Sequence, residues 1–240
     1  MSRFVLVHGA WHGAWCWYKL LPRLEKSGHR VIAPDLPGLG KDHTPIAEAT
    51  LERYAEVVCD ALDAEAEPAI LVGHSMGGIA ITQAAERRPE RIKTLVYLTA
   101  FLLRDGNSLL DAVLTSPTRT TGLMIRSEDK LSTTVNLHMI RDIFYAQCSE
   151  EDVALARSLL RPQAAAPMTA AQHVTPDRFG RVPRVYIECL RDKVIDPALQ
   201  KSMYTASPCE KIMSLDTDHS PFFSRVDELA GLLQQVAGGR

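Results

Sequence analysis

Six short apolar runs recur along the chain, and segments of helical period lie between them. The runs are residues 4–7, 30–33, 69–72, 94–98, 185–188 and 211–215. Each is continuous rather than alternating, the mark of a strand buried on both faces. Gly9 follows the first run, and Pro34, Pro37 and Gly38 follow the second. Between the runs, Leu51, Tyr54, Ala55, Val58, Ala61 and Leu62 repeat at helical spacing along one face. Residues 79–88 are apolar and Ala-rich and stop at Pro89. Near the C-terminus, Ser220 is expected to cap a helix with Pro221 in its first turn. Phe222, Val226, Leu229, Ala230 and Leu233 make its stripe, with Gly238 at its end. Strands alternating with helices predict an α/β fold, a mostly parallel sheet with helices on both faces.

Residues 101–180 interrupt this rhythm. No strand is expected there. Residues 115–122 read as a polar loop and residues 132–146 as a helix, and Ser149 with Asp152 forms a capping signal for a helix ending before Pro162. The expected organisation is a core of residues 1–100 and 181–240 with a helical lid, or cap, over residues 101–180. Long insertions in α/β sheets tend to lie near ligand sites.

Composition narrows the function classes. The 240 residues carry 27 basic and 29 acidic side chains, a net charge of −2, so no basic surplus points to nucleic acid. No apolar run approaches the roughly 18 residues that cross a membrane. Five cysteines, an odd number with no CxxC pair, argue against a disulfide framework or a zinc ribbon. A cytoplasmic protein with no metal, no membrane and no nucleic-acid partner is expected; a homodimer is left open.

The sharpest chemical signal is Gly73-His74-Ser75-Met76-Gly77, between an expected strand and an expected helix. A serine on so tight a reversal needs glycine two residues before and two after it. The turn would raise the Ser75 hydroxyl at the sheet edge, with the helix N-terminus and the Met76 N–H aimed at a developing oxyanion. The hydroxyl needs a base. Among eight histidines, His219 lies between the last strand and the last helix, where this motif class places its base. His8, His12 and His74 sit on other turns and read as supporting groups. The carboxylate that holds the imidazole tautomer is expected at Asp192, 27 residues before His219, with Asp196 as its rival on the same loop. Asp216 and Asp218 are too close in sequence to His219. The turn after the first strand, His8-Gly9-Ala10-Trp11, offers the Ala10 N–H as a second oxyanion donor. Trp11, Leu131, Leu137 and Phe144 are the candidates for the substrate wall.

These residues resemble an α/β-hydrolase. The likeness is greater to the plant methylesterase and hydroxynitrile lyase group with its bacterial esterase relatives. His8-Gly9-Ala10, residues 12–17, Gly28-His29, Asp35-Leu36, residues 73–78, Phe144-Tyr145, residues 151–156, Asp192-Lys193 and Asp218-His219 carry the likeness, which extends to about residue 235. It implies that Ser75, Asp192 and His219 are the family's triad. Lyases of that group carry Thr where Gly9 stands, to contact the cyanohydrin, and Lys where Ser220 stands, to balance cyanide. The resemblance therefore implies an esterase. Plant methylesterases also place a tryptophan in the lid, whereas Trp11, Trp15 and Trp17 all lie near the N-terminus.

A serine carboxylesterase acting on small to medium esters through an acyl-enzyme, with no cofactor, is the expected function. A cyanohydrin lyase, a non-catalytic small-molecule receptor, and a lactonase or amidase are the alternatives, since fold and triad do not fix the leaving group. A haloalkane dehalogenase would need Asp in place of Ser75.

Overall fold

The computed structural model describes residues 1–116 and 121–239. Six strands form one parallel sheet in the order β2-β1-β3-β4-β8-β9: β1 (Arg3–Val7), β2 (Arg30–Ile32), β3 (Ala69–Ser75), β4 (Ile92–Ala100), β8 (Arg184–Cys189) and β9 (Lys211–Leu215). Each answers one of the six apolar runs. All of β1 and β3 is buried, as a parallel sheet covered on both faces requires. The helices between the strands are α1 (Leu21–Lys26), α2 (Leu51–Asp63), α3 (Gly77–Arg87) and α8 (Pro197–Ala206). Helix α2 starts where the Thr50 hydroxyl accepts the Arg53 N–H, and it packs on α3. Among the described residues no helix is long and apolar enough to cross a membrane.

The C-terminal helix is two helices, α9 (Pro221–Ser224) and α10 (Val226–Gly238), broken at Arg225. Ser220 makes no side-chain cap; its N–H is instead held by Asp218 at 3.1 Å. The Ser224 hydroxyl donates to the same carboxylate at 2.9 Å and lies 3.1 Å from the Ser220 carbonyl oxygen, which ties the first turn to the loop before it. The left-handed residue that ends α10 is Gly239 rather than Gly238.

Residues 101–180 are not all helical. They contain α4 (Leu109–Thr115), α5 (Ile140–Ile143), α6 (Glu150–Leu159) and α7 (Ala166–Thr169). They also contain a small antiparallel sheet of β5 (Met124–Arg126), β6 (Ser132–Val135) and β7 (Gln163–Ala164). The expected helix over 132–146 is overturned. Thr133, Thr134 and Val135 are β-branched and pair across a hairpin whose turn is set by the Asp129 carboxylate and by Lys130 at φ 64°. The Ser149 cap holds as read: its hydroxyl accepts the Asp152 N–H and opens α6, which ends at Leu159. Of the expected polar loop, residues 117–120 lie outside the described residues.

Candidate active site

Strand β3 ends at Ser75 and α3 begins at Gly77, so the serine sits on an abrupt reversal. Its φ of 53° is left-handed, a conformation that costs a non-glycine residue about 1–3 kcal/mol. A Cβ on Gly73 would lie 2.8 Å from the Gly77 carbonyl oxygen, and one on Gly77 2.7 Å from that of Val7. Any side chain at either position would push strand, turn and helix apart. The N–H of Met76 is among those a helix start leaves without an intrahelical partner.

Two loops at the same sheet edge supply a carboxylate and an imidazole. Asp192 follows β8, and its Oδ1 accepts the N–H groups of Val194 at 2.7 Å and Ile195 at 3.0 Å. Its Oδ2 accepts Nδ1–H of His219 at 2.6 Å. Both side chains are buried. That bond fixes the proton of the neutral imidazole on Nδ1 and leaves Nε2 as an acceptor. His219 Nε2 is buried and has no hydrogen-bond partner among the described residues. The loop is joined to the serine turn through the residue before the serine. His74 Nε2–H donates to the His219 carbonyl at 2.8 Å, and the two rings lie 4.6 Å apart between centroids.

The rival carboxylates are engaged elsewhere. Asp196 caps α8 through the N–H groups of Ala198 and Leu199. Asp216 pairs with Arg191 on the surface. Asp218 accepts from Gln147 N–H at 2.6 Å and Ser224 Oγ at 2.9 Å, and so anchors the His219 loop to the 101–180 segment.

The turn after β1 packs Gly9 against the serine, where a Cβ would lie 2.8 Å from the Ser75 Cβ, and Ala10 lines the same cavity as Ser75. His12 Nδ1–H donates to the Ala10 carbonyl at 2.7 Å, and the Tyr145 hydroxyl donates to His12 Nε2 at 2.7 Å. Burial takes the His12 imidazole down to about 3, so it stays neutral in this chain of bonds. His8 donates to the Gly9 carbonyl and accepts the Leu36 N–H. Burial likewise holds His8 and His74 below the usual histidine range. Trp11 adopts φ 62°, and its indole N–H donates to the Thr133 carbonyl at 3.1 Å, tying the turn to β6.

A cavity of about 240 Å³ opens over Ser75 and the turn after β1. Ala10, Ser75 and Met76 line it from the sheet, and Leu109, Leu123 and Met168 line it from the 101–180 segment. The described residues around it include no ionisable side chain. Of the four wall candidates, Trp11 lines the cavity. Phe144 stands behind it, edge-on to Trp11 at 6.0 Å and to His219 at 5.5 Å. Leu131 and Leu137 are corrected: they are 51% and 46% exposed and do not line the cavity, because they flank β6 of a hairpin that leaves both on the surface. Four of the wall residues that sequence reasoning missed, Leu109, Leu110, Val113 and Leu114, sit on α4. Its signal was available, since Ser108 and Asp111 form a reciprocal capping box before the run Leu109, Leu110, Val113. Thr99, whose hydroxyl donates to Asp192 Oδ2, left no such signal.

The sequence profile described as the Alpha/beta hydrolase family matches residues 4–232. The chain belongs to that family. Within it the α/β hydrolase falls in the methylesterase-like group. It is 34% identical over 260 residues to Methylesterase 9 of Arabidopsis thaliana, covering 99% of this chain and 98% of that one. It is 36% identical over 250 residues to "Putative methylesterase 11, chloroplastic" of the same plant, covering 98% of this chain but spanning 64% of that protein's length. Among solved structures it resembles a pyrethroid hydrolase from Sphingobium faniae JZ-2, with TM-score 0.90, 29% identity and coverage of 99% and 97%. It also resembles polyneuridine aldehyde esterase, with TM-score 0.89, 28% identity and coverage of 99% of each chain.

Proposed function

We propose that this α/β hydrolase is a serine carboxylesterase. The observation that carries the reading is the buried Asp192–His219 couple, its Nε2 without a partner, on a loop hydrogen-bonded to the residue preceding Ser75. His219 Nε2 takes the Ser75 proton as the oxygen attacks the ester carbonyl, and Asp192 holds the imidazolium that forms. The N–H groups of Ala10 and Met76 receive the oxyanion. The tetrahedral adduct collapses, the C–O bond to the alcohol breaks, and His219 returns the proton to the departing oxygen. Water, deprotonated by the same imidazole, then releases the acid from Ser75.

The apolar cavity supports an uncharged acyl or alcohol group of modest size, and the 101–180 segment acts as the cap that excludes water from it. Its methylesterase relatives support a small alcohol leaving group. Gly9 weighs against cyanohydrin cleavage. The turn leaves no room for a larger residue there without displacing Ser75. The five unpaired cysteines support residence in a reducing compartment such as the cytoplasm.

A panel of p-nitrophenyl esters of graded acyl length, with methyl esters of aromatic acids, tests the activity and its range. Ser75→Ala should lower kcat by about 10⁴–10⁶ while the fold survives. Retention of a tenth of the wild-type rate would refute the assignment, and cyanide release from mandelonitrile in place of ester turnover would favour the lyase.

A further inference from the structure

Strand β4 carries one residue more than its partner at the sheet edge. In its pairing with β3, Leu98 stands opposite His74 and Ala100 opposite Ser75, so Thr99 is the extra residue of a β-bulge. Its φ is 37°, a left-handed value that a β-branched side chain rarely adopts. The surroundings hold it there. The buried Tyr186 hydroxyl accepts the Ala100 N–H at 3.1 Å and donates to the Ala100 carbonyl at 2.8 Å, and the next N–H, of Phe101, donates to the Ser75 carbonyl at 3.1 Å. The bulge re-aims a fully buried hydroxyl toward the neighbouring loop. There Thr99 Oγ1 donates to Asp192 Oδ2, the same oxygen that accepts His219 Nδ1–H.

We infer that Thr99 is a positioning residue for ester hydrolysis: its hydroxyl fixes Asp192 and draws negative charge from the oxygen that faces His219. The inference rests on the reading of Ser75, His219 and Asp192 as the reacting set. One bend thereby governs both ends of that set, Ser75 through the Phe101 N–H and Asp192 through the Thr99 hydroxyl. With the hydroxyl gone, the Asp192 oxygen concentrates its charge on the imidazole and favours the protonated ring, so more alkaline solution is needed to free Nε2. Among the described residues, titratable groups around the couple include His74 and His12 from the two turns, Tyr186 and Cys189 from β8, and Asp218, next to His219 in the chain. Burial keeps both histidines uncharged and both the Tyr186 and Cys189 side chains protonated.

The test compares Thr99→Val, Thr99→Gly and Thr99→Ser in p-nitrophenyl ester hydrolysis across pH. Valine keeps the shape without the donor. Glycine removes the donor while relieving the backbone, so it carries the test should valine not fold. Both should lower kcat about tenfold with KM little changed, and should move the acid limb of kcat/KM up by roughly half to one pH unit. Serine should restore the wild-type limb. An unmoved limb in the valine or glycine variant, or a serine variant that behaves as valine does, overturns the inference. Ser75→Ala, run alongside, separates the two failures. If it retains activity, the serine reading falls; if it is inactive while the Thr99 limb stays put, only the role of Thr99 falls.

Discussion

Asp192 accepts four hydrogen bonds, from His219, Thr99, Val194 and Ile195, and the two backbone donors fix its plane. A carboxylate so held can serve as the fixed partner of an imidazole that changes charge. Asp192→Asn keeps the shape but presents an amide that can donate to Nδ1, which turns the ring to the wrong tautomer. Its kcat should fall on the order of 10⁴-fold, measured on a p-nitrophenyl ester. A loss under tenfold would mean that the imidazole does not depend on it. At this scale the sequence was most legible where chemistry forces residue type. The turn at Ser75 is legible because only glycine tolerates the approaches on either side of it, and the Asp192–His219 contact expected from chain order is present at 2.6 Å. Thr99 stayed hidden because its role depends on a strand register and a left-handed backbone, which no spacing of apolar residues encodes. Leu131 and Leu137 misled because leucines a few residues apart look alike on a helix face and on a hairpin.

The inner strands β1, β3, β4 and β8 were readable because a parallel strand buried on both faces is a continuous apolar run, whereas the edge strands β2 and β9 are partly exposed. The small sheet was not, because β5 is wholly exposed and β6 mixes Ser and Thr with a single buried valine. Helix α6 was readable from its cap, but its anchorage was not. Asp152, buried at the start of α6, accepts Lys19 Nζ at 2.6 Å, Tyr18 OH at 2.9 Å and its own cap, Ser149 Oγ, at 2.9 Å. Burial pushes its carboxyl up, but Lys19, Tyr18 and Ser149 together bring it below the usual carboxylate range. The sign follows: this contribution is full above the ordinary aspartate value and is lost as pH falls through the depressed one. Asp152→Ala should cost about 2 kcal/mol at neutral pH, read from urea unfolding, and should reduce the acid sensitivity of that stability. A variant as stable as wild type would show that α6 is held by apolar packing alone.

Across the molecule, three buried histidines, His8, His12 and His74, are held neutral in the folded chain, His12 with a value of about 3. Unfolding exposes them to water, where histidine takes up a proton below about pH 6.5. The unfolded state therefore binds more protons, and stability is full above pH 6.5 and declines as the solution is acidified toward the folded-state values. Three such groups give a slope of up to about 4 kcal/mol per pH unit. Acid titration followed by circular dichroism should show cooperative unfolding well above pH 3; a fold that survives unchanged to that pH would contradict it. The same packing that keeps these rings dry brings three remote loops to one sheet edge, the arrangement on which the proposed serine mechanism rests. The most direct measurement is reaction with a fluorophosphonate, followed by intact-mass and peptide mapping. One phosphonyl group per chain, on Ser75 and absent from Ser75→Ala, is the predicted result; no adduct, or an adduct on any other residue, would contradict a serine-centred mechanism.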